Sequence, residues 1–323
     1  VSAGSLTPNQ RAWQRFRQNR PAALGAWVLA GLVVLVVAWP LVLQIASWCG
    51  PAGADFARCY SPEHISDAQF EPPSLRHPFG TDVHGRDVFS RVLYGAQISL
   101  LVGVVGTVVS LMIGVVWGAV AGYAGGRTDG VMMRLVDILY SLPSIIFVIV
   151  LITTLEGLLK DWLAATLSPG LARSARLLFL FAGLGAVSWL TMARIVRGQV
   201  LSLRQRPFVE AARALGAGPW RLLRRHIIPN VFGVVIVYLT LTLPAIILYE
   251  SFLSYLGLGI QPPMASWGSL IAEGADQINP VRVFWWLIVF PGAVLVGTLL
   301  ALNFVGDGLR DAWDVRGKGS SGA

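Results

Sequence analysis

The sequence predicts an all-α membrane protein with six transmembrane helices. Composition gives the first reason. Apolar residues fill 55% of the 323 positions, charged residues only 13%, and mean hydropathy is +0.65, whereas a soluble domain carries about 25% charged residues. Distribution gives the second. The apolar residues gather into six runs, at 22–45, 98–121, 135–155, 177–200, 231–255 and 283–305. Each is long enough to cross a hydrocarbon core of about 30 Å as a helix. Period gives the third, because no run alternates every second residue as an outer-membrane strand does.

Charge sets the expected orientation. An even number of spans puts both termini on one side. That side carries Arg11, Arg15, Arg17 and Arg20 before the first run, Arg127 and Arg134 in the second segment, and Arg310, Arg316 and Lys318 in the tail. It also carries Arg194 and Arg197 at the end of run four, and Arg204, Arg206, Arg213, Arg221, Arg224 and Arg225 between runs four and five. These are 17 of the 25 basic residues, and the acids of the opposite segments outnumber the other eight. The positive-inside rule therefore gives N-in and C-in. It also accounts for a net charge of +8 without a nucleic-acid partner. The expected divisions are a cytoplasmic segment 1–21, a first span 22–45, a periplasmic loop 46–94, a five-helix core 95–306 and a cytoplasmic tail 307–323. A cleavable signal peptide is not expected, since the first apolar run is too long for one.

Small residues recur every fourth position at Ser110, Gly114, Gly118 and Gly122, which suits close helix packing. Pro143 and Pro244 fall inside runs three and five, where each removes a backbone donor and should kink its helix. The segment around Lys160, Asp161, Trp162 and Leu163 suits a short interfacial helix. Cys49 and Cys59 share the loop assigned to the oxidising side, with Gly50, Pro51 and Gly53 between them to reverse the chain. A disulfide between them is expected.

Several chemistries find no support. A phosphate-cradling P-loop is missing, and Lys160 and Lys318 are the only lysines. The spacing of His64, His77 and His84 fits no metal site. Ser254 and Ser266 have no evident base partner, which leaves an intramembrane enzyme unsupported. Glu250 is the one clear ionisable residue within a span, near the outer end of run five, and is a candidate for gating or translocation.

The loop Pro207–Pro229 is the most informative segment. Pro207 suits a first helical position, Glu210 favours the helix dipole in the first turn, and Gly216 suits a stop. Gly218 and Pro219 open a second short helix, which Pro229 should separate from run five. Lipid-facing basic loops are common, but an acid in the leading turn does not serve one.

Glu210-Ala211-Ala212, Gly216 and Ile227-Ile228-Pro229 resemble the EAA loop of ABC-importer permeases. Other segments resemble the peptide/nickel permease family in the same order: His77-Pro78-Phe79-Gly80-Thr81-Asp82, Gly85-Arg86-Asp87, Gly122-Tyr123-Ala124-Gly125-Gly126 and Ala193 through Gln199. Ser254-Tyr255-Leu256-Gly257-Leu258-Gly259, Ser266-Trp267-Gly268 and Gly306 through Asp311 continue the set. Glu250 through Ser254 looks closest to the C-type subunit of oligopeptide permeases. The resemblance implies a coupling helix between spans four and five, with Glu210, Ala211, Ala212, Arg213, Leu215, Gly216 and Ala217 touching an ATPase subunit. It implies a second homologous permease, two ATPase subunits that bind ATP and magnesium, and a periplasmic peptide-binding protein. This chain would bind no cofactor itself. Nickel, heme or glutathione are alternative cargoes within the same family.

Overall fold

The computed structural model describes residues 8–143, 145–151, 153–154, 157–158, 169–262, 264–279 and 281–313. Its elements are helices: α1 (Pro8–Gln18), α2 (Arg20–Trp48), α3 (Pro51–Cys59), α4 (Val88–Ala124), α5 (Gly126–Ser141), α6 (Ile145–Leu151) and α7 (Pro169–Arg204). These are followed by α8 (Pro207–Ala214), α9 (Pro219–Leu222), a π turn (Leu223–Ile227), α10 (Ile228–Tyr255), α11 (Trp267–Asp276) and α12 (Trp286–Trp313). Among the described residues the β structure is an isolated bridge between Thr81 and Asp87.

Among the described residues, four helical stretches are long and apolar enough to cross a bilayer: α2, α4, Pro219–Tyr255 and α12. A fifth is reached if α5 and α6 count as one broken span. The expected run 177–200 lies inside α7, which is 36 residues long. Large apolar side chains stay exposed along α2, with Trp27 at 77% and Val34 at 64%. That pattern fits an apolar surround rather than water.

Several boundaries differ from those expected, each for a local reason. α4 begins at Val88, ten residues early, because the Asp87 carboxylate caps it by accepting the Ser90 amide at 2.8 Å. Helix α12 continues to Trp313, so the first part of the expected tail is helical. At Pro143 the helix does not kink but stops at Ser141, and the next helix departs at 98°. The residue before a proline avoids helical dihedrals, and Leu142 is extended. α10, by contrast, runs through Pro244. Pro229 does not break the chain either: the π turn before it lets Ile228 donate to the Leu223 carbonyl, and the helix continues. The suggested interfacial helix at Lys160–Leu163 lies outside the described residues.

The expected disulfide is not formed: Cys49 and Cys59 are both free. The chain between them folds into α3 instead of reversing. Nine helical residues extend about 13 Å, far more than the roughly 7 Å limit between bridged Cα atoms. Pro51 starts that helix, which is why the Gly-Pro sequence gives a helix start and not a hairpin. Iodoacetamide applied to the folded, unreduced protein should therefore label both thiols; a Cys49–Cys59 linked peptide would contradict this geometry.

Two compact units divide the chain. One comprises 1–23, 104–246 and 305–323, the other 24–103 and 247–304. In the first unit, the small-residue face of α4 packs on α7. A Cβ on Gly118 would lie 2.4 Å from the Ala193 carbonyl oxygen, and one on Gly114 would lie 2.6 Å from the Met192 Cβ. The four-residue repeat is thus a contact within the chain. Bidentate pairing of Arg197 with Asp129, at 2.5 and 2.6 Å, ties α7 to α5.

Candidate functional site

The loop after α7 folds as the sequence suggests. Pro207 occupies the first turn of α8 and Glu210 supplies its acidic charge. The helix closes in a Schellman turn. Gly216 adopts φ +83°, its amide bonds to the Arg213 carbonyl, and the Ala217 amide bonds to that of Ala212. α9 then opens at Pro219 behind Gly218.

One face of this loop is anchored and the other is free. Val209, Leu222, Leu223 and Ile227 are buried with Val200, Val231 and Val235 in a single apolar cluster. Ala212 and Ala217 pack partly against it. Glu210, Ala211, Arg213 and Gly216 are exposed. Leu215 is 89% exposed and Trp220 69%. The loop is therefore anchored on one face and presents an acid, basic residues and three large apolar side chains, Phe208, Leu215 and Trp220, on the other. The seven predicted contact residues all lie on α8 or its closing turn, but Ala212 and Ala217 face inward.

Glu250 lies in the second unit, 0% exposed, one turn before α10 ends. Its Oε1 accepts the Ser254 hydroxyl at 2.7 Å, and Oε2 accepts the Ser99 hydroxyl at 3.1 Å and the Ser251 hydroxyl at 3.4 Å. Those hydroxyls are themselves held. Ser254 Oγ accepts the Ile260 amide, and Ser99 Oγ accepts the Trp267 amide. The carboxylate thus joins α4, the end of α10, the loop beyond it and the start of α11. A buried carboxyl without such partners is strongly disfavoured.

The neighbouring motifs are built around this hub. α10 ends in another Schellman turn at Gly257, with φ +75° and the Leu258 amide on the Leu253 carbonyl. Ser266 caps α11 through a reciprocal capping box with Ser269. Trp267 is wholly buried and donates from its indole to the Val92 carbonyl. At Gly268 a Cβ would sit 2.1 Å from the Ser251 carbonyl oxygen, so only glycine fits.

A charged cluster in the same unit escaped sequence reasoning. Asp82, 4% exposed, accepts the amides of His84 and Arg86 through Oδ1, and Arg86 Nε and Arg91 Nη1 through Oδ2. Glu273 accepts both terminal nitrogens of Arg91, at 2.6 and 3.0 Å, and Arg86 Nη2 at 3.3 Å. The His77 ring bonds to Asp87 at 2.9 Å beside it. Glu273 is 182 residues from Arg91, which no local motif would link. Among the described residues no group of three or more His, Cys, Asp or Glu is arranged to hold a metal.

Comparison with known proteins gives this geometry its context. Residues 114–317 match the family described as binding-protein-dependent transport system inner membrane component, and residues 7–52 match the N-terminal transmembrane domain of oligopeptide transport permease C. The dipeptide transport system permease protein DppC of Bacillus subtilis is 40% identical over 318 residues, covering 97% of this chain and 88% of that protein. The oligopeptide transport system permease protein OppC of Escherichia coli is 42% identical over 305 residues, covering 94% and 90%. A solved chain of the MetNI methionine ABC transporter, in an inward-facing conformation, aligns with TM-score 0.52 over 69% of this chain and 97% of that one. Its 19% identity speaks to fold alone. The chain belongs to the family of inner-membrane components of binding-protein-dependent transport systems.

Proposed function

We propose that this chain is the C-type permease subunit of an ABC importer that carries peptides across the bacterial inner membrane. The observation that carries the reading is identity of about 40% over nearly the whole chain to permeases named for dipeptide and oligopeptide transport. In this reading six helices span the membrane with both termini inside, α7 being the fourth span and α5 with α6 the third. A second homologous permease completes the pathway, two ATPase subunits bind ATP and magnesium, and a periplasmic binding protein delivers peptide. α8 and its closing turn dock on an ATPase. ATP then favours one of two permease conformations because that contact differs between them.

The exposed acid and apolar residues of α8 support the docking role. They are free to be replaced without disturbing the buried cluster beneath. Glu210→Ala and Leu215→Asp should insert and fold normally. ATPase association should weaken by roughly tenfold, equivalent to about 1.4 kcal/mol, with a parallel loss of uptake. The measurement is copurification from mild detergent, together with ATP-dependent uptake of labelled alanyl peptides by proteoliposomes of the full complex. Nickel, heme and glutathione serve as competing cargoes. Full association and uptake in both variants would remove α8 from the coupling path.

A further inference from the structure

We infer that a polar stripe shared by α5 and α7, centred on the Asp137–Arg194 ion pair, lines the cytoplasmic end of the peptide pathway. The inference rests on the transport reading above and assigns a surface to it. Arg194 Nη2 lies 2.7 Å from Asp137 Oδ1, and its guanidinium stacks 4.0 Å from the centre of the Tyr140 ring. The carboxylate of this pair is open where that of the Asp129–Arg197 pair is not: the Asp137 side chain is 64% exposed against 11% for Asp129, while Arg194 at 38% is close to Arg197 at 34%. Asp137 and Arg194 fall near the cytoplasmic ends of the expected spans 135–155 and 177–200. An exposed ion pair inside a span is costly against lipid, and such groups face a bundle interior or a water-filled cavity.

The rest of α5 supports the same division. The helix has two distinct exposed faces. Gly130, Arg134, Asp137 and Ser141 recur at three- and four-residue intervals on one, and all are exposed. Val131, Leu135 and Ile138 form the other, at 72%, 44% and 58% exposure. Its third face, Asp129, Met133 and Val136, is buried. A helix in uniform lipid has no use for two chemically different outer faces; a helix between lipid and water does. α7 continues the polar surface, with Thr191, Gly198 and Ser202 exposed around Arg194. A peptide in transit carries backbone donors and acceptors and both terminal charges. A surface offering a carboxylate, a guanidinium and hydroxyls matches that chemistry.

Cysteine accessibility in the assembled, reconstituted complex tests this. Cys49 and Cys59 are first replaced by serine. Single cysteines are then placed at Ser141 and Thr191 on the polar stripe and at Leu135 and Ile138 on the apolar one. A charged methanethiosulfonate reagent should modify the polar-stripe positions at least about tenfold faster, because thiolates do not form facing lipid. Adding the labelled alanyl peptides with ATP should slow that reaction. The apolar controls on α5 lie nearer the cytoplasmic end of that helix than Ser141, so depth alone cannot produce this order. If the cysteine-free complex transports peptides yet both stripes react equally slowly, or Ser141→Cys cross-links to the second permease, the pathway assignment is overturned. Failure of the cysteine-free and wild-type complexes alike to transport peptides would instead overturn the functional reading on which it rests.

Discussion

Replacing Glu250 by leucine should cost about 2–5 kcal/mol of stability, while Glu250→Gln should cost under about 1.5. Leucine removes the acceptor for the Ser99 and Ser254 hydroxyls in a place water does not reach. Each orphaned buried hydroxyl is worth about 1–3 kcal/mol. Glutamine keeps an acceptor oxygen for Ser254, and its amide can donate to Ser99 once that hydroxyl rotates. The same hub sets the response of Gly268, where any Cβ meets the Ser251 backbone at 2.1 Å. Gly268→Ala should be at least as damaging as Glu250→Leu, since a backbone atom has to move. Thermal unfolding of the purified subunit in detergent should rank the variants in that order. A glutamine variant as unstable as the leucine variant would mean that the charge itself is required. A leucine variant as stable as wild type would remove Glu250 from the structural role.

Much of this was legible because the relevant physics is local. Hydropathy over a window of about 20 residues marks helices that must satisfy their own backbone in lipid. Pro207, Gly216 and Pro219 fix helix starts and a stop through their own dihedral limits, and each sits where those limits require. The repeat at Gly114 and Gly118 announced a close helix contact, although α7 as its partner had to be seen. Legibility ended where two outcomes share one local pattern. Pro143 and Pro244 look alike in sequence, yet one ends a helix and the other lies within one. Gly50-Pro51 between two cysteines allowed a hairpin or a helix start, and the helix formed. Glu250 stands out in the sequence as a lone acid in run five, but the partners that bury it, at Ser99 and beyond α10, come from distant segments. The exposed Asp137–Arg194 pair was hidden for the same reason, being 57 residues apart.

Asp82→Ala should be the more damaging deletion of the two carboxylates that hold Arg86 and Arg91, costing about 3–5 kcal/mol, whereas Glu273→Ala should cost under about 1.5. The two carboxylates share Arg86 and Arg91, so a count of ion pairs would rank them equally. Burial separates them. The Glu273 side chain is 37% exposed and that of Asp82 only 6%. When Glu273 is lost, Arg91 keeps Asp82, and water can enter where the glutamate stood. When Asp82 is lost, the nearly buried Arg91 keeps only a half-open partner, and the amides of His84 and Arg86 lose their acceptor as well. Those two amides belong to the turn that the Thr81–Asp87 bridge encloses, directly before α4. The damage should therefore be visible locally. Hydrogen exchange at His84 and Arg86 should accelerate in Asp82→Ala and stay slow in Glu273→Ala. The difference should survive high salt, because a buried cluster is poorly screened. Equal destabilisation by the two variants, or a difference that salt abolishes, would show that surface attraction and not the buried carboxylate holds this end of the helix.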